Sequence, residues 1–223
     1  MVDGAVGAYV ESLSFAEDDV LTQVRRRSMA DGVPALDGLT ARFLHVLASA
    51  MRARRILEIG TGYGYSGIHL ARAMPNDGLL FTFELNPARA AVARQHVAQA
   101  GLADRVNVLV GDASRLLHKV AGPFDLIFQD GDKLGYEPML DRIIALLRPN
   151  GVLVTDNVLW SGDVVPGFPQ GTQKHDPATI DAIARYNRRL AADPRLLTTM
   201  LPIGDGVALS VKRDDATCEQ ALT

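Results

Sequence analysis

The sequence predicts an α/β fold whose core is a doubly wound, mostly parallel, seven-stranded sheet. Three observations carry that expectation. From residue 54 onward, short apolar runs alternate with amphipathic stretches of helical period. A turn with three glycines follows the first of those runs. Near the end, two β-like runs flank "GDG" (204–206), the pattern of an antiparallel hairpin on a sheet edge.

The elements follow in order. Residues 5–30 read as helical, with Ser14 and Glu17 in the spacing of a capping box ahead of "DDVLTQVRRRSMA". "ADGVPALDG" (30–38) is a turn-rich break. "LTARFLHVLASAMRA" (39–53) then sets Leu39, Phe43, Val46, Leu47 and Ala50 at helical spacing. Strands are expected at "RILEIG" (55–60), "LLFTFEL" (79–85), "VNVLVGD" (106–112), "FDLIFQD" (124–130) and "GVLVTDN" (151–157). Helices are expected between them at 65–74, 87–101, near 113–120 and at 136–147. This alternation implies right-handed βαβ units on a sheet covered on both faces, with ligands outside the carboxyl ends of the strands. A loop rich in Gly and Pro (160–177), a helix near 178–192 and the hairpin (196–213) complete the chain.

Composition narrows the function. The 223 residues, 48% hydrophobic, suit a single domain: a helical segment (1–53), a core (54–213) and a polar tail (214–223). A net charge of −3 argues against a broad basic face for nucleic acid. One cysteine, Cys218, and five scattered histidines exclude a disulfide framework and a zinc-type cluster. The acidic opening lacks a basic stretch followed by an apolar run, and no apolar run is long enough for a bilayer. A cytoplasmic protein without membrane partners is the expectation.

"LEIGTGYGYSG" (57–67) carries the first chemistry. Gly60, Gly62 and Gly64 let the backbone turn tightly and approach a ligand, and the following helix start offers N–H groups to an anion. Gly62, Gly64 and Gly67 also satisfy the Rossmann-type dinucleotide spacing, so the loop indicates a nucleoside cofactor without choosing one. Glu84, ending the second strand, reads equally as a ribose ligand and as an ordinary strand-end acid. Glu58 is out of place inside a strand buried on both faces. "E-x-G-x-G-x-G" resembles the first motif of class I S-adenosylmethionine-dependent methyltransferases. There the acid orders the loop, and "GDA" (111–113) lies beside the adenine.

The fourth strand ends at Asp130 and the fifth at Asp156–Asn157. Consecutive parallel strands often neighbour each other, so these oxygens would converge on a hard cation: Mg²⁺ first, with Mn²⁺ or Ca²⁺ as alternatives. Each acid alone also reads as a cap or turn residue, and Asp132 fits that reading better than ligation. Lys133 reads as a surface lysine or as a general base whose ammonium form a neighbouring dication disfavours.

With these pieces in order, residues 29–213 resemble the cation-dependent O-methyltransferases of the catechol and caffeoyl-CoA type. The matching segments are "LEIGTGYGYSGIHLA", "GDA", "FDLIFQDGDKLGY", "LLRPNGVLVTDNVLWSGDV" and "LPIGDGVALSVK". The resemblance implies that Asp130, Asp156 and Asn157 hold the metal and that Lys133 is the base. It places Gly60, Tyr65 and Ser66 near the methionine moiety, Glu84 on the ribose, and Asp112 and Ala113 by the adenine. It further implies S-adenosyl-L-methionine as methyl donor, a small phenolic acceptor, a homodimer, and an N-terminal segment covering the site. The family has an alanine where Gly131 stands. Trp160 either borders the acceptor pocket or belongs to the core. Two other classes share the glycine loop: an NAD-dependent oxidoreductase, which leaves the two acidic strand ends unexplained, and a non-catalytic nucleoside-binding module.

Overall fold

The computed structural model describes residues 4–168 and 175–214. Residues 169–174 of the Gly/Pro-rich loop and the tail from 215, with Cys218, lie outside the described residues. The chain divides into two compact units between Leu116 and Leu117.

The N-terminal unit opens with three helices, α1 (Gly4–Ser12), α2 (Asp19–Ala30) and α3 (Gly38–Met51). The helical stretch expected over 5–30 is thus broken at 13–18. Its cap is Asp18, whose carboxylate accepts the Leu21 N–H at 3.0 Å, and not Ser14, whose hydroxyl turns back to the Val10 carbonyl at 3.0 Å. Glu17 is left for a different task. Asp37 caps α3 by accepting from the Leu39 and Thr40 amides. The buried face of α3 is Thr40, Ala41, Leu44 and Ala48, one step round from the expected stripe, and Val46 is 59% exposed. Small residues explain the difference: Ala41 and Ala48 let α3 approach the following helix closely, and their weak apolar signal is drowned by Phe43 and Val46.

Three parallel strands follow, β1 (Arg55–Ile59), β2 (Leu79–Glu84) and β3 (Val106–Val110), ordered β3-β2-β1. They are linked by α4 (Tyr65–Ala73) and α5 (Pro87–Gln99), with α6 (Ala113–Leu116) after β3. Asn86 caps α5 and Pro87 occupies its first turn, where a missing N–H costs nothing. The register sets Glu58 opposite Thr82 and Glu84 opposite Val110, so the strand ends lie side by side.

The C-terminal unit contains β4 (Phe124–Gln129), α7 (Tyr136–Leu146), β5 (Leu147–Asp156), α8 (Pro177–Ala192), β6 (Leu196–Leu201) and β7 (Val207–Lys212), its strands ordered β4-β5-β7-β6. β4 and β5 are parallel, and β7 and β6 run antiparallel as the hairpin signal required. β5 begins at Leu147 rather than 151. The register jumps between Phe124 and Leu126, and residues 148–151 bulge there with Asn150 in the left-handed region. Arg148 closes the bulge through its 2.6 Å ion pair with Asp125. Beyond the jump the register is regular, Gln129 facing Thr155, so Asp130 and Asp156 leave their strands at the same level. A polar lattice pins this end: the Tyr186 hydroxyl donates to Gln129 Oε1 at 2.8 Å and lies 2.8 Å from Thr155 Oγ1. Among the described residues, no helix is long and apolar enough to cross a membrane.

Candidate active site

In the N-terminal unit the site is the loop between β1 and α4. Gly60, Gly62 and Gly64 have φ of 104°, 54° and 94°, a left-handed series that only glycine adopts without strain. Glu58, fully buried on β1, accepts from Ser66 Oγ and Thr82 Oγ1, each at 2.5 Å. This acid therefore joins β1, β2 and the first turn of α4. Glu84, also buried, accepts the Gly62 N–H at 2.8 Å and the Asn86 N–H at 2.9 Å. Both acids are thus tied to the loop's own framework, and the carboxylate of Glu84 keeps further lone pairs for a hydroxyl donor. Among the described residues no side chain caps α4, whose first amides suit a carboxylate or phosphate. At the end of β3, Gly111 donates to the Glu84 carbonyl at 2.9 Å, which brings Asp112 and Ala113 beside Glu84. Asp112 accepts from the Ser114 hydroxyl and the Arg115 amide, and those bonds hold its carboxyl below the usual range. The Tyr65 ring is buried and its hydroxyl donates to Glu17; burial first and then that bond push its phenol far above the ordinary value.

In the C-terminal unit Asp130, Asp156, Asn157 and Lys133 come together. Asp156 is 5% exposed, and its Oδ1 has no hydrogen-bond partner among the described residues. Burial, followed by the charge of Asp130, pushes its carboxyl up to about 7. Asp130 is also pushed up by burial, against the pull of Lys133. Lys133 Nζ donates to Asp130 Oδ1 and to the Tyr136 hydroxyl, each at 2.9 Å. Burial and the charges of Asp130 and Asp156 keep that phenol protonated, and its oxygen lies 3.2 Å from the Asp156 carbonyl. Asp132 caps the short 3-10 turn at 133–135 through the Leu134 amide.

Asn157, at φ 59°, donates its amide N–H to Asp205 Oδ2 at 3.4 Å, which leaves Asn157 Oδ1 as the outward acceptor. Asp205 also accepts the Ser161 N–H and adds a second negative charge against Asp156. Its place between Gly204 and Gly206 is its sole sequence signal. No group of three or more His, Cys, Asp or Glu side chains suited to a metal occurs among the described residues. The buried Asp156 carboxylate with its orphan oxygen, the half-buried Asp130 carboxylate and an amide oxygen nevertheless fit one hard cation.

The profile of the O-methyltransferase family matches residues 11–213. The chain belongs to the O-methyltransferase family. It is 37% identical over 216 residues to the catechol O-methyltransferase of Mycobacterium tuberculosis, covering 93% of this chain and 95% of that one. It is 35% identical over 218 residues to the catechol O-methyltransferase of Niastella koreensis, covering 93% and 96%. Among solved structures, the Bacillus cereus O-methyltransferase in complex with SAH superposes with a TM-score of 0.83 at 32% identity, covering 94% of this chain and 97% of that one. The Streptomyces achromogenes O-methyltransferase of tomaymycin synthesis, in complex with SAM, gives 0.84 at 32%, covering 94% and 96%. The fold class is shared with them: a seven-stranded, mostly parallel mixed sheet with an antiparallel C-terminal pair and N-terminal helices.

In this O-methyltransferase, the residues after β5 form a second feature. Trp160 and Ser161 hold left-handed backbones in the 3-10 turn at 160–162. The Trp160 ring is half-buried, 4.9 Å from the His175 ring and 5.9 Å from Lys133 Nζ, and its Nε1 is buried with no partner among the described residues. His175 Nδ1 lies 2.7 Å from the largely buried Asp163 carboxylate. Trp160 is half-buried beside Lys133. Nothing in the spacing of the loop points to the Asp163–His175 pair.

Proposed function

We propose that this O-methyltransferase uses S-adenosylmethionine and a divalent cation to methylate one hydroxyl of a catechol-like vicinal diphenol. The observation that carries the reading is the buried Asp156 carboxylate with its orphan oxygen, beside the half-buried pair of Asp130 and Lys133. Buried negative charge without a compensating partner is costly, and a hard dication would relieve it. The curated relatives named for catechol and the SAH- and SAM-bound neighbours support the acceptor class and the donor.

Asp130, Asp156 and Asn157 Oδ1 would hold the cation. When bound, it supplies positive charge that favours the anionic form of a hydroxyl beside it. When bound, S-adenosylmethionine supplies a sulfonium methyl already activated for transfer. Gly60, Tyr65 and Ser66 would hold the methionine end of the donor, with Gly62 and Gly64 in the same cofactor loop and Glu58 ordering it through Ser66. Glu84 receives the ribose hydroxyls, and Asp112 and Ala113 border the adenine. Lys133 Nζ takes the proton from the reacting hydroxyl, and Trp160 with its loop forms the acceptor wall. The oxygen lone pair forms the new O–CH₃ bond while the S–CH₃ bond breaks and its electrons remain on sulfur. Alignment of the three atoms does much of the work.

The test is a methylation screen over vicinal diphenols with S-adenosylmethionine, run with Mg²⁺ and again with EDTA. Turnover of a diphenol that stops in EDTA and returns with Mg²⁺ is expected. Unchanged turnover in EDTA removes the cation from the account, and turnover of monophenols alone removes the diphenol.

A further inference from the structure

The glycine loop carries Tyr63 and opens α4 with Tyr65, and both hydroxyls reach away from the loop. Tyr63 donates to Asp31 Oδ2 at 2.8 Å, and Tyr65 donates to Glu17. The two acceptors stand at opposite ends of α2: Glu17 just before its cap Asp18, and Asp31 at its C-terminal cap. We propose that Glu17 and Asp31 are positioning residues for the methyl donor, holding the glycine loop in its binding shape through Tyr65 and Tyr63. The inference rests on the proposed binding of S-adenosylmethionine at that loop.

The bar between the two acids is itself fixed. Leu21 and Val24 bury the inner face of α2, and Arg72 of α4 pairs with Asp18 at 2.5 Å. Each acid is balanced by arginine. Arg25 and Arg42 lie 3.6 and 3.9 Å from Glu17, and Arg27 lies 3.5 Å from Asp31 with its guanidinium 5.8 Å over the Tyr63 ring. The loop is gripped from behind as well: His96 Nδ1 lies 2.9 Å from the Tyr63 carbonyl, and Glu84 takes the Gly62 amide. The reason for so many holds is entropic. A segment with three left-handed glycines in five residues has many backbone states to lose when a ligand orders it. Anchoring Tyr63 and Tyr65 to a packed helix removes those states before the ligand arrives, and that lowers the cost of binding. Tyr63 and Tyr65 are two apart and so reach past the flanking glycines to opposite ends of one helix.

The measurement is calorimetric binding of S-adenosylhomocysteine to the full chain and to Tyr63→Phe, Tyr65→Phe, Asp31→Ala and Asp31→Asn. Loss of one hydrogen bond to a carboxylate predicts about five- to tenfold weaker binding for Tyr63→Phe, Tyr65→Phe and Asp31→Ala. Asp31→Asn keeps an acceptor oxygen and stays within about twofold. The Tyr63→Phe/Asp31→Ala double variant is no weaker than either single, because both remove the same bond. In turnover of Tyr63→Phe and Asp31→Ala, KM for the donor rises while kcat at saturating donor holds within about twofold. If the full chain binds S-adenosylhomocysteine and Tyr63→Phe and Asp31→Ala bind it equally well, or if their effects add, the positioning role is wrong. A full chain that does not bind S-adenosylhomocysteine overturns the donor reading and this inference with it.

Discussion

Lys133 is tied to both chemistry and architecture. Its Nζ reaches Asp130 and the Tyr136 hydroxyl, and the Trp160 ring stands 5.9 Å away. If Nζ takes the acceptor's proton, then Lys133→Met, which keeps the length and apolar stem, lowers kcat by about a hundredfold or more. Binding of S-adenosylhomocysteine stays within about twofold, because the hydrogen bonds that hold the glycine loop do not involve Lys133. Steady-state kinetics paired with calorimetry checks this, and a Lys133→Met enzyme with more than half the parental kcat refutes the assignment. Lys133 was legible because an apolar strand ending in two acids and a lysine has no packing rationale. Asp205 was not: its relation to Asn157 and Asp156 arises from hairpin placement, which no local spacing encodes.

Helices α3 and α4 bring together groups that the chemistry does not use. His45 and His69 face each other with ring centroids 6.0 Å apart, beside Phe15, Tyr65, Arg42, Arg72 and Asp18. Burial, followed by the charge of His45, holds His69 down to about 4, and burial lowers His45 as well. The folded state therefore binds fewer protons than the unfolded chain between about 4 and the ordinary histidine value of about 6.5. The stability these neutral histidines contribute is present above 6.5 and is lost as pH falls through 4. Urea unfolding at pH 7, 5.5 and 4.5 should show the loss, and His69→Gln should flatten it by roughly one proton's worth of slope, about 1.4 kcal/mol per pH unit at most. An equal slope in parent and variant contradicts the burial argument. This packing was invisible in the sequence for the same reason that the α3 face was misplaced. Apolar periodicity weighs large side chains, whereas Ala41, Ala48 and two neutral histidines set the contact.

Across the molecule, the strands and their acidic ends were the most legible part. A buried parallel strand must be apolar along its length, so Glu58, Glu84, Asp130 and Asp156 stood out against their runs. What the sequence concealed are long-range ties through loops and helix ends: Asp31 to Tyr63, Glu17 to Tyr65, Asp163 to His175. These satisfy polar groups that any of several acids could satisfy, and so leave no pattern. The central claim is that the acids of β4 and β5 hold one hard cation. Titration of Mn²⁺ into the chelator-treated protein, followed by the fall in free Mn²⁺ paramagnetic resonance, measures this directly. One Mn²⁺ bound per chain in the parent, and its loss in Asp130→Asn and Asp156→Asn, is the predicted result. Undiminished binding in both variants, or none in the parent, would contradict the account.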